Sequence, residues 1–462
     1  MKSRKRLHSV LSLLLAGVLL LSACQKSDPA PKEDTAPEKQ EEEQKEEEIP
    51  LEPVEPFDPA SYTNAMMLED YDFFWTTLEE NCAPLGALRE ADGVDLDQWK
   101  EEYRQKVAAL PDGDAEGFIG VMGELSKRFS GFAHIQVAKA ELYYRYVKGG
   151  SEWESDTQKE LLLSDQVRAF YQWMGTLPQY QKDLQALEQN NEVSKSEDEE
   201  AISQAISEKI NLYRQGETAV AMVRGFDFYG EESNNTVVEM LQEFCLENLD
   251  AQDFIIDLSR NSGGNAYIWT EGFAPLFVGK TLTCPMVAAY KNGSVNVQMW
   301  DGWPENNPEV ELQELSSLST EDYPKLNMAS LEGCDGVAVS TATIDYAEEE
   351  NPNGEEFEGR LWLLTDGENA SSAELMVQYL KGEDFCTLIG KQTAGKSGIM
   401  TDPANMYAPM PNCGMLVRFG AFYFLNEDGT CNDLEGTHPD IEIESGETAM
   451  QRCLKEIKKL QK

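Results

Sequence analysis

A serine and a lysine twenty-five positions apart, Ser371 and Lys396, each stand at the edge of a segment whose composition would display them. A serine hydroxyl is a poor nucleophile until a base takes its proton. A lysine serves as that base only as the neutral amine, which requires burial or a neighbouring cation to lower its pKa. Residues 360–366 (RLWLLTD) read as a buried strand, 367–369 (GEN) as a turn and 370–380 (ASSAELMVQYL) as a helix, which places Ser371 in a helix's first turn. Unpaired backbone N–H groups and the positive dipole end there can stabilise negative charge beside a nucleophile. A second strand at 385–389 (FCTLI) leads into the small-residue loop 393–398 (TAGKSG), which carries Lys396 and no acid to hold its amine protonated.

The run ENASSAELM followed by LIGKQTAGKSG resembles the S41 family of C-terminal processing (tail-specific) serine peptidases. Their nucleophile lies three residues before a glutamate and twenty-five before the lysine base, and both Glu374 and Lys396 count back to Ser371. Residues 254–265 (FIIDLSRNSGGN) resemble the family's strand ending in a double glycine, and 435–441 (EGTHPDI) its closing Gly-x-x-Pro-Asp-Ile. The resemblance spans residues 217–445 and implies a Ser371/Lys396 dyad working through an acyl-enzyme, with no metal or organic cofactor. It implies the backbone N–H groups of Gly264 and Ser372 as oxyanion donors. It also implies the layered α/β fold of the ClpP and crotonase group.

Three departures accompany the resemblance. The glutamine that orients the lysine in processing peptidases, four residues on, is here Met400, whose thioether is a weak acceptor. No PDZ domain is recognisable, so recognition of a substrate's tail is not carried over. His134 (GFAHIQV) lies where relatives carry Gly-His-Thr and where the tricorn-like branch draws its histidine, which makes it the possible alternative base. His438 reads as a turn residue. Residues 390–397 (GKQTAGKS) also satisfy the phosphate-binding pattern G-x-x-x-x-G-K-S/T. Such a loop must open a helix facing the anion, and Gly398, Pro403, Pro409 and Pro411 exclude a long one, so no nucleotide is expected.

Residues 1–23 read as a lipoprotein signal peptide: Lys2, Arg4, Lys5 and Arg6, an apolar run from Val10 to Leu21, then Leu21-Ser22-Ala23-Cys24. Acylation at Cys24 would tether the mature chain to the outer side of a bacterial membrane, in the cell envelope, with the lipid as its only membrane contact. Residues 24–60 form an acidic, Pro-rich disordered linker, with seven prolines between Pro29 and Pro59. The formal charge of −46 becomes −50 without the four leader cations, which argues against nucleic acid as a partner. Eight further cysteines show no C-x-x-C, hence no zinc or redox site; Cys413 and Cys431 flank an expected hairpin and are the pair best placed to bond.

The expected architecture is an N-terminal helical domain (61–139), a helical insertion (140–215) and an α/β peptidase core (216–462). Tyr71, Phe74, Trp75 and Leu78 share one helical face, as do Trp99, Tyr103, Val107 and Leu110. Part of the chain near 292–327 reads as a surface insertion, and 415–425 (MLVRFGAFYFL) as a late strand near the site. The expected function is a membrane-anchored serine endopeptidase acting on envelope or extracellular proteins. The alternative is a catalytically inactive lipoprotein of peptidase fold that binds peptides or partner proteins.

Overall fold

The computed structural model describes residues 53–148, 155–194, 199–228, 231–300, 303, 307–347, 356–396 and 405–461; the leader, Cys24 and Met400 lie outside them. The described chain opens with helices Asn64–Asn81, Leu96–Ala108 and Ala115–Arg128, each begun by a side chain that accepts an otherwise unpaired amide. Thr63 accepts from Met66, Asp95 from Gln98 and Asp114 from Gly117. The two aromatic stripes face inward as their spacing predicts, although Leu110 is only half-buried. After the short strand Gln136–Val137 come five more helices, Ala140–Lys148, Asp156–Leu162, Asp165–Met174, Pro178–Ser194 and Glu199–Lys209.

Thirteen strands are described: β1 (Gln136–Val137), β2 (Ile210–Gln215), β3 (Thr218–Val223), β4 (Asp253–Asp257), β5 (Thr281–Tyr290), β6 (Glu311–Gln313), β7 (Gly336–Asp345), β8 (Arg360–Thr365), β9 (Cys386–Gly390), β10 (Met406–Pro409), β11 (Leu416–Phe419), β12 (Tyr423–Phe424) and β13 (Ile441–Glu442). They form three sheets, ordered β13-β9-β8-β4-β3-β2, β12-β5-β7-β6 and β1-β11-β10. The six-stranded sheet is parallel except where β2 meets β3.

Both faces of that sheet are covered, which is why its strands read as near-continuous apolar runs. Phe254, Ile256, Leu361 and Leu363 pack toward helices Glu231–Glu247 and Ser372–Leu380, while Ile255, Trp362 and Leu364 pack toward helix Ala449–Leu460. Buried Asp253 clamps two strand starts by accepting from Arg360 Nε (2.8 Å) and Trp362 Nε1 (2.8 Å). The chain is thus a layered mixed α/β structure, as expected.

Three expectations are corrected. The stretch 415–425 is not one strand: it breaks after Phe419, β11 joining the small sheet and β12 pairing with β5. A uniform apolar composition hid the change of sheet at Gly420. The segment 292–327 is not merely surface, because Met299, Trp300 and Trp303 are buried and Trp300 stacks on Phe422. Cys413 and Cys431 are both free and buried, like all eight described cysteines. The Cys413 thiol neighbours Asp70 and Tyr62 rather than a second sulfur, and its amide donates to Asp70 Oδ2 at 3.0 Å.

Candidate active site

Three neighbouring parallel strands end at one edge of the large sheet, and each delivers one part of the site. β4 runs into the turn 258–265, β8 into 366–371 and β9 into 391–396. Loops beyond the carboxyl ends of parallel strands form the crevice where ligands bind. Fully buried Asn369 ties the three together. Its amide donates to the carbonyls of Leu258 (2.6 Å) and Asn261 (3.2 Å), its Oδ1 accepts from Asp366 N (2.6 Å), and its own carbonyl accepts from Ala394 N (2.7 Å).

Ser371 stands between β8 and helix Ser372–Leu380 with φ +57° and ψ −125°. That backbone cannot continue a helix, so Ser371 precedes the first turn rather than lying inside it. A positive φ is strained for a residue with a Cβ, and a sharp strand-to-helix turn thrusts its side chain outward. The Ser371 amide donates to the Gly395 carbonyl at 3.0 Å, which brings its backbone directly against the residue preceding Lys396.

The double-glycine turn lies on this corner. A Cβ at Gly263 would come within 2.8 Å of Ser371 Cβ and 3.0 Å of Ser372 N, and one at Gly264 would overlap the Phe226 carbonyl. Both glycines have positive φ, so only glycine allows this approach. Among the described residues neither the Gly264 nor the Ser372 N–H has an acceptor. Two free donors beside a displayed hydroxyl are what an oxyanion of acyl transfer needs.

Lys396 also has positive φ (+70°), and its Nζ lies 3.3 Å from where a Cβ on Gly131 would be. Burial lowers its pKa from the ordinary value, opposed by the charge of Asp433. The reading that no acid attends this amine holds only within its own loop, because Asp433 arrives from thirty-seven residues downstream. Asp433 is buried and accepts the Ala133 N–H; burial pushes its carboxyl up to about 7, with Lys396 pulling it back.

His134 contacts the same loop through its ring, which donates to the Lys396 carbonyl. Burial, then the charges of Arg418 and Lys396, push its pKa down to about 3. Glu374 supports the far side: buried, it accepts from Asn432 Nδ2 (2.8 Å), Thr437 N (3.1 Å) and Thr437 Oγ1 (2.7 Å) and so fixes the segment bearing Asp433. Exposed His438 lies 3.7 Å from Glu442. Sequence reasoning missed Asp433 and Asn369; the Asn four residues after β8 stands in a turn composition that could have marked it. Among the described residues, no group of three or more His, Cys, Asp or Glu is placed to hold a metal.

Residues 219–443 match the model of peptidase family S41. This part of the chain belongs to that family. The S41 segment opens in β3 and closes just after β13, so it holds Gly264, Ser371, Ser372, Lys396 and Asp433 while His134 comes from outside it. Among solved structures, a candidate peptidase from Parabacteroides merdae ATCC 43184 is similar at 14% identity, with 85% of this chain and 96% of that one covered and a TM-score of 0.44. A lipoprotein from Streptococcus agalactiae is similar at 13% identity, with coverage of 85% and 96% and a TM-score of 0.43. Mature CPAF complexed with lactacystin is similar at 14% identity, with coverage of 86% and 98% and a TM-score of 0.43. No curated protein matches the chain in sequence.

Proposed function

We propose that the chain is a serine endopeptidase that hydrolyses peptide bonds through an acyl-enzyme, with Ser371 as nucleophile and Lys396 as general base and then acid. The observation that carries this reading is the corner itself: the Ser371 amide on Gly395, with the acceptor-free amides of Gly264 and Ser372 alongside. Neutral Lys396 takes the Ser371 hydroxyl proton as Oγ attacks the scissile carbonyl. The oxyanion then rests on the two amides, and Lys396 returns its proton to the leaving amine. A water molecule, deprotonated by the same amine, releases the acyl group.

His134 is the weaker base. A ring held near a pKa of about 3, with an N–H already donated to the Lys396 carbonyl, is a poor proton acceptor at neutral pH. Its role here is to hold the loop of the lysine, and Asp433 faces the amine where an orienting amide is expected in the family.

The composition of residues 1–60 supports a chain processed before Cys24, acylated there and held off the outer membrane face by an acidic stalk, with peptides or proteins of the envelope as substrates. Loss of detergent-phase partitioning in Cys24→Ser tests the anchor; unchanged partitioning argues against it. Covalent labelling by a serine-directed fluorophosphonate tests the peptidase. The parent should label and Ser371→Ala should not. Failure of the folded parent to label anywhere between about pH 7 and 10 would instead indicate the inactive, peptide-binding alternative.

A further inference from the structure

Arg418 is half-buried in β11, at the centre of the small sheet, and its Nε is buried without an acceptor. Among the described residues no carboxylate lies within ion-pair distance of it. A guanidinium carries five donors, and a donor taken out of water without an acceptor loses its hydration for nothing. This happens in a chain with 84 acidic and 38 basic residues, where a partner was easy to supply. An unsatisfied buried group of this kind calls for an explanation.

Its location suggests one. In the antiparallel register Arg418 stands opposite Gln136 on one side and Tyr407 on the other, so the three share a face of the sheet. Two residues before Gln136 is His134, whose ring bonds the Lys396 carbonyl and feels the Arg418 charge. The Gly420 amide, two residues after Arg418, donates to the Ala133 carbonyl at 2.7 Å, and the Ala133 amide in turn bonds Asp433. Arg418 therefore belongs to the wall of the crevice that holds Lys396, yet neither the dyad nor the oxyanion donors use it.

We infer that Arg418 forms a carboxylate-binding subsite, which selects substrates presenting an acidic group beside the bond to be cut. The guanidinium fork matches a carboxylate with two parallel N–H donors, and the two Nη groups, not enclosed as Nε is, are the donors a substrate would reach. The carboxylate comes either from an Asp or Glu side chain or from the substrate's own C-terminus. The inference rests on the peptidase reading for calling the ligand a substrate, but the subsite itself is testable without turnover.

The test uses the full chain and fluorogenic peptides in matched pairs: Glu against Gln at each position, and free acid against amide at the C-terminus. A turnover arm measures kcat and KM, and a binding arm measures anisotropy of the same peptides, dye-labelled, on the Ser371→Ala protein. One acidic member should be favoured by about tenfold or more, through KM or Kd rather than kcat. Arg418→Gln should bring that ratio close to one, and Arg418→Lys, which keeps charge but loses the fork, should keep part of it. A Glu/Gln difference assigns the subsite to a side chain, and an acid/amide difference assigns it to a C-terminus. Discrimination in the binding arm without any turnover would uphold the subsite and sink the peptidase. Equal treatment of all pairs by the parent protein, or a preference that survives in Arg418→Gln, would overturn the subsite.

Discussion

The helices of residues 64–128 and the crevice built on β4, β8 and β9 are both well packed, but they are held by different means. The helices are regular, capped, and joined by an apolar cluster in which Tyr71, Phe74, Trp75 and Leu78 are almost fully enclosed. The crevice is a network of buried polar groups with strained backbone. Six non-glycine residues among those described have positive φ: Ser130, Ala133, His134, Arg260, Ser371 and Lys396. All six lie in the double-glycine turn, the serine corner, the lysine loop or the 130–134 loop against it. Strain of this kind costs on the order of 1–3 kcal/mol per residue and persists only where surrounding contacts over-determine it. The helical layer therefore provides stability, and the crevice spends part of it on geometry.

Substitutions can break that contrast, beginning with the largest expected effect. Lys396→Arg keeps the positive charge but cannot offer a neutral amine, so hydrolysis should fall by about 10²–10⁴-fold while the melting temperature moves little. Leu78→Ala should do the reverse, costing about 2–5 kcal/mol in chemical denaturation and leaving kcat of the folded fraction intact. Asn369→Ala should do both at intermediate size. Each buried partner it leaves unpaired costs about 1–3 kcal/mol, and misplacing three loops should lower kcat by about 10–100-fold in steady-state assays.

Asp433→Asn separates charge from shape. The folded chain keeps the Asp433 proton up to about pH 7, whereas the unfolded chain loses it near pH 4. Its contribution to stability is therefore full below pH 4 and is lost as pH rises through 7. The Asn variant should melt above the parent at pH 8 and lose the downward slope between pH 5 and 8. Because the carboxylate opposes the lowering of the Lys396 pKa, the same change should move the rising limb of kcat/KM to lower pH. The smallest effect is expected for Glu374→Gln. Gln keeps the Oε1 acceptor that takes the hydrogen bonds of Asn432 and Thr437, so the change should cost under about 1 kcal/mol in a denaturant melt, with Glu374→Ala clearly worse.

The elements around the site were legible because each follows a local rule. Alternating β3, β4, β8 and β9 with their helices are apolar runs ended by turn residues, and Ser371, Lys396 and the double glycine stand at fixed offsets from them. What escaped depends on distant chain meeting in space. Asp433 and Arg418 lie in different later segments, and nothing in their neighbours announces that both approach the loop at 130–134. The break between β11 and β12 was hidden for the opposite reason, since apolar residues fill both strands although they join different sheets.

The rate of fluorophosphonate labelling as a function of pH bears most directly on a neutral lysine activating Ser371. In the parent it should rise with loss of a single proton, at a midpoint below that of an ordinary lysine, and both Lys396→Ala and Ser371→Ala should abolish it. A rate that persists undiminished in Lys396→Ala but disappears in His134→Ala would contradict the account.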